Sequence, residues 1–128
     1  MRIVCYPRNE MAELSGSAED LARLARAVAD GEGVVRTSPS ADERDLAGAE
    51  VGDAPGPGVL VRLDVSRRVL VISGDAPARA VLADNLRAMA DEDDGGHLHI
   101  EHFPDHPYLV EGSLPLVVIS PHGGMPRR

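Results

Sequence analysis

Apolar positions along this chain keep two rhythms, alternation by twos and recurrence by threes and fours, and the change from one to the other falls twice at a Ser-Gly pair. Residues 3–6 and 11–15 read as short strands with a turn at Pro7-Arg8-Asn9 between them. Gly16 ends the alternation. Ser17, with Asp20 three residues on, forms a capping box ahead of Leu21, Leu24, Ala25 and Val28, which predicts an amphipathic helix stopping at Gly31. The same order returns 58 positions later: residues 59–65 alternate, Ser66-Arg67 turns the chain, 69–73 runs back, and Gly74-Asp75 opens a helix. Pro77 sits in the first turn of that helix, and Leu82, Leu86 and Met89 mark its buried stripe.

The matching Ser15-Gly16 and Ser73-Gly74 junctions make hairpin plus helix an internal pseudo-repeat. Residues 97–103 and 116–120 add a third pair of strands, giving the order ββα-ββα-ββ. Such an order predicts an α+β domain of two layers, a mostly antiparallel sheet with both helices on one face and the other face open. With 128 residues the chain suits one domain, which would bury roughly two-thirds of its unfolded surface. Residues 121–128 read as a frayed tail.

Two stretches break the pattern. Residues 32–58 carry Asp42, Glu43, Asp45, Glu50 and Asp53 before Pro55-Gly56-Pro57-Gly58, which reads as an acidic, flexible insertion or as an arm that orders on a basic partner. Asp91-Glu92-Asp93-Asp94 follows the second helix at the end where the helix dipole favours cations, and reads as solvated surface or partner contact.

Apolar residues are 43% of the chain, but there is no Trp, one Phe and two Tyr, so the core must come from Val, Leu, Ile and Ala. Stacking platforms for nucleic acid are lacking. The formal net charge is −8, which disfavours phosphate backbones and anionic lipid and favours a basic protein partner. Cys5 stands alone and suits a small core position, no apolar run approaches the roughly 20 residues of a membrane span, and the first ten residues lack a signal-like apolar stretch. These features point to the cytoplasm.

The densest signature is His97-Leu98-His99-Ile100-Glu101-His102-Phe103-Pro104-Asp105-His106-Pro107-Tyr108. Alternation would put Leu98 and Ile100 inward and line up His97, His99, Glu101 and Phe103 outside. His97, His99 and Glu101 could hold zinc, with His102, His106 or His122 as further ligands, or His99, Glu101 and His106 could work as acid and base. Pro104 and Pro107 stiffen the exit loop, which serves recognition equally well because a rigid loop loses less entropy on binding. No Gly-x-Ser-x-Gly, phosphate loop or His-Glu-x-x-His occurs, and Ser17 and Asp75 read as helix caps.

The string His99-x-Glu101-x-Phe103-Pro104-x-His106-x-Tyr108-Leu109, then Gly112-Ser113-Leu114-Pro115-Leu116-Val117-Val118, resembles the C-terminal block of the thirty-second family of bacterial polymorphic-toxin immunity proteins, common in actinobacteria. Residues 13–21 are similar to that family's entry into its first helix. The family's aromatic after the glutamate is His102 here. The resemblance implies an inhibitor without catalytic residues or cofactor that sequesters a cognate toxin domain. It makes His99, Glu101, His106 and Tyr108 the recognition residues, with Asp42, Glu43 and Asp45 steering a basic partner. An interaction module or homodimer outside toxin systems, and a small metal-dependent enzyme, are the alternatives.

Overall fold

The computed structural model describes residues 1–6, 11–37, 44–91 and 96–121. The turn at Pro7-Arg8-Asn9, the acids Asp42, Glu43, Glu92, Asp93 and Asp94, and His122 with the rest of the tail lie outside the described residues.

The chain runs β1 (Arg2–Tyr6), β2 (Met11–Ser15), α1 (Ala18–Asp30), β3 (Glu32–Arg36), β4 (Gly48–Asp53), β5 (Val59–Asp64), β6 (Val69–Gly74), α2 (Ala76–Ala90), β7 (His97–Ile100) and β8 (Leu116–Ile119). The capping box of α1 forms as its sequence predicts: the Ser17 side chain accepts from the Asp20 amide at 3.0 Å, and the Asp20 carboxylate accepts from the Ser17 amide at 3.1 Å. Gly31 ends the helix in the left-handed region, φ 80°. Leu21, Leu24, Ala25 and Val28 are buried in α1; their counterparts in α2, shifted by 58, are Arg79, Leu82, Ala83 and Leu86, also buried. The pseudo-repeat thus extends to the buried face, with one exchange of Leu21 for Arg79.

The strands divide between two four-stranded sheets, β1-β2-β8-β7 and β3-β4-β6-β5, where the hydrophobic pattern suggested one sheet. Each sheet joins an antiparallel hairpin from one half to an antiparallel pair from the other through a parallel seam, β2 with β8 and β4 with β6. Replacing β1, β2, β8 and β7 by β5, β6, β4 and β3 turns one strand order into the other, so each half is ββαββ and the two halves exchange their second strand pairs. The α+β class and the alternation of hairpins and helices therefore hold, while the strand count of the first half rises by two.

Those two strands correct the expectation of a flexible insertion across 32–58. β4 lies in the middle of its sheet, pairing with β3 on one side and β6 on the other. Its buried residues are Gly48, Ala49 and Val51, and only Val35 of β3 is buried, so neither strand carries a strong apolar alternation that the sequence would reveal. The small residues are a packing requirement: a side chain at Gly48 would place its Cβ 2.5 Å from the Val35 carbonyl oxygen.

One core of Val, Leu, Ile and Ala spans both sheets and both helices, with Cys5 and Tyr108 in it. α1 and α2 pack on each other, α1 against β3 and β4, and α2 against β6 and β8. Outer edges are covered at β1 and β5. Cys5 N–H donates to the Arg44 carbonyl and Leu46 N–H to that of Ile3, both at 2.8 Å; Val59 N–H donates to the Tyr108 carbonyl at 2.7 Å and Leu114 N–H to that of Val61 at 2.8 Å. The covering segments lead directly into β4 and β8, strands of the opposite sheets, so the 106–114 stretch is held between β5 and β8.

Candidate partner-binding surface

β7 is an edge strand, and its side chains alternate as the sequence requires: Ile100 is buried and Leu98 half-buried, while His97 and His99 are exposed. The two imidazole rings lie edge to face with centroids 6.2 Å apart. The strand stops at Ile100, so Glu101 and Phe103 extend from an exit loop rather than from the strand. Both are exposed, Phe103 at 54%, and it is the chain's one phenylalanine. Among the described residues no group of three or more His, Cys, Asp or Glu side chains is placed to hold a metal ion.

The loop is braced from below. The His106 amide donates to the Phe103 carbonyl at 3.0 Å, closing a turn in which Asp105 takes a left-handed φ of 68°. His106 Nδ1 then accepts the amide N–H groups of Tyr108 at 3.2 Å and Leu109 at 2.9 Å. Its ring stands 4.8 Å from Phe103 and 4.7 Å, edge on, from Tyr108. Tyr108 is only 5% exposed, and Asn85 Nδ2 of α2 donates to its hydroxyl at 2.8 Å. Burial pushes the Tyr108 hydroxyl above its usual pKa, opposed by the Asn85 bond. A continuous column, Phe103 on His106 on Tyr108, thus connects the surface to α2.

Since Nδ1 accepts two hydrogen bonds, the proton of neutral His106 belongs on Nε2. Burial, and then the His102 charge, lower the pKa of His106 from its ordinary 6.5. The unfolded chain takes up this proton first, so the His106 contribution to stability is complete above pH 6.5 and declines as pH falls through the lowered folded value. Melting temperature should fall between pH 7 and pH 5, and His106→Asn, whose side-chain oxygen can accept the same amides without titrating, should flatten that slope. An unchanged slope in the variant would show that His106 does not brace the loop.

The sequence-predicted recognition residues separate into two groups. His99 and Glu101 are outside, with Phe103 beside them in the same segment. His106 and Tyr108 support the loop from within. Asp45 is also inside: it is buried and accepts from Arg2 Nη2 at 3.1 Å and Nε at 3.2 Å, which removes it as a steering charge. Cys5 is buried, and burial raises the pKa of its thiol, as suits an inert core residue.

Beside the braced loop is a cleft of about 420 Å³ between the first turns of α2 and residues 106–110. Asp75, Pro77, Ala78 and Val81 line it from the α2 side, and His106, Pro107, Tyr108 and Val110 from the loop side. Sequence reading missed Val81, 40% exposed, and assigned Asp75 to capping. Asp75 has the N-cap backbone, but its side chain makes no bond to the helix; Oδ1 accepts the Gly58 amide at 3.3 Å instead. Arg79, 4% exposed, was also missed, and its signal was its place in the buried stripe at the position of Leu21.

Among the described residues no helix is long and apolar enough to cross a membrane. Residues 69–121, from β6 through α2, β7, the braced loop and β8, match the family model described as Immunity protein 32, which supports an immunity-protein family assignment. Neither a curated protein nor a solved structure matches the chain.

Proposed function

We propose, from the Immunity protein 32 match, that the chain neutralises a cognate toxin domain by forming a stoichiometric protein complex in the cell that makes both. The observation that carries this reading is the match itself, since it covers the segment holding every exposed residue of the candidate surface. Support comes from the build of that surface. A loop fixed by two amide bonds to one imidazole, with an aromatic ring held on top, has little conformational entropy left to lose on docking. Exposed Phe103 would supply a central apolar contact, and Glu101 and His99 the polar surround.

The net charge of −8 favours a basic toxin surface, mainly through the rate of encounter, so association should slow as salt rises. The test is whether the gene lies directly downstream of one for a large secreted protein and whether the chain co-purifies with the C-terminal domain of that protein. A one-to-one species supports the reading, and two proteins that elute separately at micromolar concentration would refute it.

A further inference from the structure

The internal symmetry provides a control for what the fold itself demands of α2. Pro77 and Val81 correspond to Glu19 and Arg23 of α1, which are exposed and ion-paired at 3.4 Å, Arg23 also reaching Asp20 at 3.5 Å. The architecture therefore accepts a fully charged surface at these two positions. In the second half the same positions are apolar and exposed and form the wall of a cleft. Exposed apolar residues where the fold tolerates charge point to a ligand.

The N-caps differ in the same way. Ser17 spends its side chain on α1, whereas the Asp75 carboxylate makes no bond to α2, lines the cleft, and keeps one oxygen, Oδ2, without a hydrogen-bond partner among the described residues. A side chain at Gly56 would collide with that oxygen, so the glycine preserves its space. The lining holds this one carboxylate, the His106 imidazole and no Arg or Lys, and Asp105 and Glu111, both exposed, flank residues 106–110 in sequence. A mainly apolar cleft with one carboxylate, one of whose oxygens has no hydrogen-bond partner among the described residues, is complementary to a long aliphatic stem with a cationic head.

We propose that the cleft between α2 and residues 106–110 receives an arginine or lysine side chain of the toxin, its stem on Pro77 and Val81 and its cation at Asp75. This rests on the immunity reading and makes the cleft a second contact beside Phe103, supported by the same His106–Tyr108 column. At about 420 Å³ the cleft has ample room for one such side chain.

The probe is n-butylguanidinium, titrated into the full labelled chain and followed by amide chemical shifts. Saturable shifts are expected at Asp75, Ala78, Val81 and Val110. Asp75→Asn, which retains a good N-cap residue, should weaken the probe at least tenfold, and Val81→Arg, which fills the cleft with its own cation, should abolish saturation while both variants keep the parent spectrum elsewhere. n-Butanol, with the stem but no cation, should give no saturable shift. Shifts scattered over the surface, equal affinity in Asp75→Asn, or equal binding of n-butanol would overturn the proposal. The probe carries no part of a toxin, so a silent cleft would leave the co-purification result standing.

Discussion

Arg79→Ala should destabilise the chain by about 3 kcal/mol and lower its melting temperature by roughly 10 °C. The guanidinium is almost wholly buried and donates to three backbone carbonyls: Nε to Gly74 at 2.9 Å, and Nη1 to Val28 at 2.9 Å and Ala29 at 3.0 Å. Two of these are at the C-terminal end of α1, where the carbonyls have no intrahelical partner and α1 has no basic residue of its own in its last turn. One side chain on α2 therefore closes the end of α1 and ties both helices to β6. Its fourth bond, Nη2 to Asp53 at 2.9 Å, goes to an exposed carboxylate and contributes little, so Asp53→Asn should cost under about 1 kcal/mol. Gly31 is part of the same arrangement, since a Cβ there would come within 2.6 Å of Arg79 Nη1. Urea unfolding distinguishes the cases: a midpoint shift in Arg79→Ala below that expected for 1 kcal/mol would show that water replaces the guanidinium without loss.

Phe103→Ala should weaken the complex with the toxin domain by about 30-fold or more, about 2 kcal/mol, while leaving the melting temperature within a degree or so. The ring is more than half exposed, so its removal takes little from the core, yet it stands on a rigid base that holds it for a partner. Tyr108→Ala should behave in the opposite way, losing stability first because it empties a buried position and strands the Asn85 amide. Glu101→Ala should fall between, with a loss of affinity that shrinks at high salt. Calorimetric titration paired with thermal melts gives both quantities. A Phe103→Ala variant that melts several degrees lower, or binds as tightly as the parent, would place the recognition surface elsewhere.

Where local rules decide structure, the chain could be read without coordinates. The capping box at Ser17, the stop at Gly31, the two hairpins around 3–15 and 59–73, and the outward facing of His97 and His99 all follow from short-range pattern. The division into two sheets could not be read, because β2–β8 and β4–β6 are pairings between distant segments, and β4 packs through Gly48 and Ala49, which carry no periodic signal. Deleting 42–53 as a loose arm would therefore remove a central strand rather than a set of steering charges.

The candidate surface was legible in composition but not in depth. A cluster of His, Pro and Tyr shows that a segment is specialised, yet only coordinates distinguish Phe103, which points out, from His106 and Tyr108, which hold it up. Arg79 was the most readable of the residues missed. Shifted by 58 it falls on Leu21, and a charge on a buried stripe either ends the helix face or has found carbonyls to satisfy it.

The most direct test of the account is growth of cells expressing a candidate cognate toxin domain, with and without this chain. Full rescue by the parent, partial rescue by Phe103→Ala at equal protein level, and a one-to-one complex of the purified pair are the predicted results. Cells that die equally with and without the chain, although both proteins are present and folded, would contradict it.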